Sequence, residues 1–197
     1  MRILLWGKAL LAGACLMIGV AAWCQEQAPA KHQVSSLDVA VSYDALRNNA
    51  TTGRNFWMQG GRVQAHGQFW RGLGVVADVA GMHSGNIQGS GVGLDLVTVT
   101  FGPRYSWTRA HTRFTVFGHA QGGLALGFNS TFPGPSIASE DATSLATRLG
   151  GGMNYSLSPR IALRVIQADW LRTQMPNATT NVQNNLNLGA GFVYRFR

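Results

Sequence analysis

Alternating apolar and polar residues recur along this chain, and the last such stretch is the most constraining. Leu186, Leu188, Ala190, Phe192, Tyr194 and Phe196 share one parity. Asn187, Gly189, Gly191, Val193 and Arg195 share the other. A period of two is the spacing of a β-strand whose faces meet different surroundings. One face is apolar and ends in aromatics; the other is small or polar apart from Val193. In a soluble sandwich the apolar face would pack on a core. In a transmembrane barrel it faces lipid, with aromatics at the interface and polar groups enclosed.

The N-terminus has the layout of an export signal. Arg2 and Lys8 precede an apolar stretch from Ala9 to Ala22, which ends in small residues. Cleavage after Cys24 places Ala22 and Cys24 at the two small-residue positions, and Ala28 to Ala30 offers a second site. The apolar run is short for a retained membrane anchor. Trp23 is too bulky for lipoprotein processing at Cys24. The organisation expected is a signal peptide over 1–24, a polar lead-in over 25–35 and a barrel domain over 36–197. The mature chain then keeps at most Cys24, so it supports neither a disulfide framework nor a cysteine metal site.

Composition favours the barrel. Charged residues make up 12% of the chain, about half the share usual in soluble domains. No later run is long and apolar enough for a membrane helix. Glycine is frequent, at 25 of 197 residues. Gly60-Gly61, Gly122-Gly123 and Gly150-Gly151-Gly152 fall inside strand-like stretches, where glycine permits bending and close backbone approach. The formal charge of +8 invites a nucleic-acid reading. The arginines are dispersed singly, however, and the chain is marked for export, so no nucleic-acid partner is expected.

Eight strands are predicted, over 36–44, 56–69, 73–82, 94–107, 113–128, 143–155, 161–171 and 186–197. The connections near positions 50, 88, 135 and 177 are long and polar; those near 71, 110 and 158 are short. Bacterial barrels have an even strand number, short periplasmic turns and longer outer loops. The pattern predicts an all-β, eight-stranded, antiparallel, up-and-down transmembrane barrel, with both termini periplasmic. A soluble calyx has no reason to sort its loops in this way. The stretch 161–171 breaks the alternation, because Arg164 and Asp169 have opposite parity. Either a β-bulge near Gln167 restores the phase, or Asp169 lies beyond the hydrocarbon.

Three stretches carry a family likeness. They are Thr100-Phe101-Gly102-Pro103-Arg104-Tyr105, Leu149-Gly150-Gly151-Gly152-Met153-Asn154-Tyr155, and Ile161 to Arg164 with Gln167 to Trp170. These resemble small bacterial outer-membrane β-barrel proteins of the OmpA/OmpX-like barrel-domain family, of the acidobacterial type. The resemblance implies a bacterial outer-membrane location, contact with outer-membrane lipid and lipopolysaccharide, and a monomer. The chain end, Gly191 with Tyr194 and Phe196, resembles the signal read by the barrel-assembly machinery. It departs from that signal in Gly189, where a polar residue is usual, and in the extra Arg197. No peptidoglycan-binding domain is expected.

The alternation places Asp38, Arg62, His66, Asp78, Arg104, His119, Gln121, Arg148, Arg164, Asn187 and Arg195 in the lumen. An eight-stranded barrel is just wide enough for side chains to fill it. Enclosed charges need partners, so Asp38 and Asp78 are candidates to pair with Arg62, Arg104, Arg148 or Arg164. The expected interior is a structural network of polar and charged side chains that fills the lumen; a narrow pore or small-ligand channel is the alternative. Lipid-modifying catalysis would need a nucleophile, base and acid within reach. His32, His66, His83, His111 and His119 are scattered and match no such pattern. No histidine pair has metal-ligand spacing, and carboxylates are too few for a calcium loop. No cofactor is expected. Trp57, Trp70, Tyr105, Trp107, Tyr155, Tyr194 and Phe196 lie near strand ends, as interface aromatics would. Arg71, Arg109, Arg113 and Arg160 mark the short turns, near anionic headgroups. The expected role is structural, or presentation of the outer loops to a surface partner.

Overall fold

The computed structural model describes residues 36–51, 54–87, 92–108, 111–133, 139–177 and 180–196. The expected signal peptide and lead-in lie outside them. The described residues form eight strands: β1 Ser36–Thr51, β2 Arg54–Trp70, β3 Leu73–Ser84, β4 Leu94–Thr108, β5 Phe114–Phe128, β6 Ala142–Ser156, β7 Ile161–Thr173 and β8 Gln183–Phe196. Each pairs antiparallel with its sequence neighbours, and β1 pairs with β8 to close the barrel. Closure leaves no strand edge, as hydrocarbon requires of backbone N–H and C=O groups.

The wall is inverted relative to a soluble barrel over most of its height. Val41, Val63, Val99, Phe101, Leu145 and Phe192 point outward and are exposed, while Arg62, Arg104, Arg148 and Arg164 are buried inside. The outward apolar band runs from Val97 to Trp107 on β4 and from Leu186 to Phe196 on β8. That matches the length of about 9–11 residues for a tilted membrane strand. At its upper limit the outward positions turn polar: Arg47, His83, Asp95, Arg172 and Asn184. His83 and Asp95 face each other across β3 and β4 at 2.5 Å, and Asn129 donates to the same carboxylate.

Above that ring the barrel has the ordinary arrangement. Leu46, Met58, Met82, Leu96 and Leu171 are buried inside, with Ile87, Phe132 and Met175 folded over them from the long connections. Polar outside and apolar inside is what water demands.

Two differences from the sequence-based strands have one cause. β1 continues to Thr51 and β2 begins at Arg54, where a long polar loop is predicted. The alternation changes sense at Asp44-Ala45-Leu46, where the surroundings change from lipid to water, so it stops looking like a strand with a lipid-facing side. The long connections are therefore those after β3, β5 and β7; the short ones follow β2, β4 and β6. The turn after β2 has Arg71 at φ 34° and Gly72 at φ 90°, the pattern of a tight hairpin with both central residues left-handed. Gly72 is required there because a side chain would also collide with the Ser106 carbonyl oxygen, which accepts no such contact.

The predicted bulge is present in β7. Arg164 pairs with Gly191 and Gln167 with Gly189, so Val165 and Ile166 together oppose one residue of β8. Both point outward and are exposed. Arg164 and Asp169 then both face the lumen. Deleting Val165 should put one of these charges on the lipid face. The variant is expected to lose the compact, heat-modifiable gel band, while Val165→Ala keeps it. A deletion variant that folds as readily as the parent would show that the extra residue is not needed.

Candidate functional site

Inside the apolar band the lumen is a stack of polar tiers. The central one is built around Arg62 of β2. Its guanidinium donates to Asp169 of β7 through Nη1 at 2.6 Å and pairs with Asp44 of β1 through Nη2. Asp78 of β3 lies 3.7 Å away. One arginine thus ties three carboxylates from three strands. Asp169 Oδ2 also accepts from Gln167 at 2.9 Å and Arg148 at 3.4 Å, and His119 Nε2 lies 3.1 Å from Oδ1. Asp44 accepts from Ser42 at 2.7 Å and Asn187 at 2.9 Å. Asp78 accepts from Gln64 at 3.1 Å. Arg148 reaches Thr98 at 2.9 Å, and Thr100 donates to Gln121 at 2.6 Å.

Backbone spacing makes room for this cluster. Gly150 faces Asp169 across β6 and β7, and an added Cβ there would overlap the carboxylate. Gly150 thus leaves space for a charged group.

The next tier, towards the short turns, has a different composition. Arg104 of β4 and Arg164 of β7 donate to the same oxygen, Gln64 Oε1, at 3.0 and 2.9 Å. Both guanidinium carbons lie over the ring of Phe117, at 3.8 and 4.8 Å from its centroid. Cation–π stacking of this kind holds the two guanidinium groups against one ring face. Arg104 also reaches Ser106 at 3.3 Å; Arg164 reaches Asn154 at 3.2 Å and Gln167 at 2.7 Å. Asp38 lies 3.8 Å from His66 Nδ1 and forms no ion pair within 4.0 Å with either arginine. Below this tier the barrel opens into a cavity of about 510 Å³ at the short-turn mouth.

These positions revise two expectations. Asp38 and Asp78 are expected to pair with arginines; Asp78 does so with Arg62 and Arg148, whereas Asp38 lies near His66. Asp44 and Asp169 bind Arg62 more closely than either. The interior is also not polar throughout, because its long-loop end is the apolar cluster of Leu46, Met58 and their neighbours. Phe117, which the sequence reading does not assign, is buried in the lumen. Its parity with His119 and Gln121 was the available signal. Of the rim aromatics, Trp70, Tyr105, Trp107, Tyr194 and Phe196 are exposed on the outer face at the short-turn end, with Tyr155 partly exposed beside them; Trp57 is exposed at the other end. Tyr194 packs edge-on to Phe196 at 4.8 Å, and Phe114 packs on Tyr155 at 4.9 Å.

No family model and no curated protein matches the sequence. Solved structures share its architecture. Neisserial surface protein A aligns over 81% of this chain and 97% of its own, with 15% identity and a TM-score of 0.62. Ail, the attachment invasion locus protein of Yersinia pestis, aligns over 82% and 98%, with 17% identity and a TM-score of 0.55, in a complex with the heparin analogue sucrose octasulfate. The outer membrane protein OprG of Pseudomonas aeruginosa aligns over 84% and 98%, with 12% identity and a TM-score of 0.51. At these identities the likeness is one of fold: a small eight-stranded barrel of the outer-membrane type.

Removing one partner of a buried pair leaves the other charge uncompensated, at a cost of about 3–5 kcal/mol. Asp169→Ala should destabilise the barrel by that order in urea unfolding from lipid vesicles. Asp38→Asn, at the mouth, should change it by about 1 kcal/mol or less. Equal effects of the two substitutions would show that the Arg62 cluster is not the centre of stability.

Proposed function

We propose that this protein is a monomeric, non-conducting barrel of the bacterial outer membrane, related to the acidobacterial type of small barrel. In this reading both termini are periplasmic and the long connections face outward. Its role is to strengthen the membrane or to present those connections to a surface partner, with outer-membrane lipid and lipopolysaccharide around the wall. The C-terminal strand would be its address for the barrel-assembly machinery.

The observation that carries the reading is a double seal. The Arg62 cluster fills the middle of the lumen, and the apolar tier of Leu46, Met58, Met82, Leu96 and Leu171 closes the long-loop end. An ion crossing this interior would have to displace paired charges and then enter an apolar plug. The outward face supports the membrane setting, since it offers hydrocarbon a band of suitable height between rim aromatics and the Arg47–Asp95 ring. Two of the histidines fit a non-enzymatic role. His66 and His119 are enclosed in the lumen, where no lipid chain on the outer wall reaches them. The Yersinia neighbour's name records attachment, which accords with a surface role for such a barrel.

Purified protein in planar bilayers is expected to show no discrete conductance steps at moderate voltage. Steady, reproducible steps would replace this reading with the pore. The same preparation, traced in cells, is expected in the outer-membrane fraction with heat-modifiable mobility. Recovery as a soluble periplasmic protein would end the membrane reading itself.

A further inference from the structure

The carboxylates of the lumen gather in the centre and not at the short-turn mouth. Asp44, Asp78 and Asp169 answer Arg62 and Arg148, with His119 beside them. Towards the mouth stand Arg104, Arg164 and Arg195, near enough for Arg164, Asp38 and Arg195 all to act on Arg104. Among the described residues, no carboxylate forms an ion pair within 4.0 Å with any of these three. Arg104 and Arg164 are nevertheless buried, each with 2% exposure or less. They are held together by one shared amide oxygen and one phenyl ring. Neither of those acceptors carries a charge. With Arg71, Arg104 and Arg195 lining the mouth and Asp38 as the carboxylate among them, the surplus charge there is positive and suits an anion.

The cavity beneath them has the means to hold one. It is lined by Arg104 and Arg195, the hydroxyl-bearing Ser106 and Ser156, Asn154 and the turn residue Arg71. Arg195 donates to Ser156 Oγ at 2.9 Å, which fixes its guanidinium at the rim. Asp38 also lines the cavity and offsets part of the charge. The cavity is blind, because the central cluster and the apolar tier close it above. An anion that enters can bind but cannot pass.

We propose that the short-turn mouth is a binding site for a phosphate-type oxyanion, gripped by Arg104 and Arg195 with help from Ser106 and Ser156. Planar guanidinium groups and hydroxyl donors are the groups that recognise phosphate oxygens. The oxyanion comes either from solution, as a phosphate or phosphate ester, or from a lipid headgroup at the rim. This site is independent of any surface role for the long connections.

The test is isothermal titration of the whole barrel in phosphatidylcholine nanodiscs at low salt, with inorganic phosphate and then pyrophosphate as probes. One saturable site is expected. Losing a charged hydrogen-bond donor should weaken it about tenfold in Arg104→Gln and in Arg195→Gln. Arg172→Gln, on the outer wall at the far end, should leave it unchanged. Arg195 is only half-buried, so its variant keeps the test valid where Arg104→Gln fails to fold, as judged by heat-modifiable mobility. Repeating the titration in discs containing phosphatidylglycerol separates the sources: blocked binding identifies the headgroup as occupant, and unchanged binding identifies a soluble anion. Absence of any saturable binding of both probes overturns the proposal. So does equal affinity in the parent and in Arg195→Gln.

Discussion

Hydrocarbon accepts neither a free backbone polar group nor an unpaired charge, and this exclusion organises the whole molecule. Closing β1 on β8 answers the first demand. Turning every charged side chain of the membrane band inward answers the second. An eight-stranded wall encloses little volume, so these inward groups must then satisfy one another. Arg62 does so for three carboxylates at once. The glycine opposite Asp169 and the bulge at Val165-Ile166 follow from the same need: one makes room for a carboxylate, and the other turns it inward.

The exclusion ends where the lipid ends. Above the Arg47–Asp95 ring the wall faces water, and its interior becomes an ordinary apolar core. One strand thus serves two solvents. In β1, Val41 is outward and Ser42 inward, yet only a few residues on Leu46 is inward and Arg47 outward. The side-chain period never changes; only the chemistry assigned to each parity changes. The apolar core at the long-loop end also closes the lumen, so the adaptation to water and the seal against ion flow are the same feature.

This explains what could be read from the residues. Within the lipid band, each strand shows a clean alternation with its apolar parity outward, so strand number and the inward set from Arg62 to Asn187 were legible. The phase break between Arg164 and Asp169 was legible as well, because a single extra residue is the minimal repair. The upper end of β1 was not. There the alternation inverts, and Leu46 contradicts the pattern that identifies the strand below it. Pairing was also hidden. Parity states which side chains share the lumen but not at what height, and height depends on the shear between strands. Asp38 and Asp78 have the same parity and lie at different tiers, one by His66 and the other by Arg62 and Arg148. Phe117 was missed for a related reason: an aromatic in a membrane barrel suggests the rim, and only the inward parity of its neighbours marks it as the surface on which two guanidinium groups stack.

A charged interior also determines register. A slip of one residue between neighbouring strands exchanges the two faces of a strand. Were the lumen apolar, both faces would suit hydrocarbon, and slipped pairings would differ little in free energy from the native one. With Arg62, Arg148 and Asp169 on the inner face, a slip of β2, β6 or β7 would carry an ionised group into lipid, where even the lower measured values exceed 2 kcal/mol per residue. It would also strand the partner left inside. Buried ion pairs add little net stability when compared with well-packed apolar groups. Here their effect falls on the competing registers. The barrel therefore carries its ionised lumen as a specification of which face is inside, and the arginine-rich mouth follows where that specification outruns the supply of carboxylates.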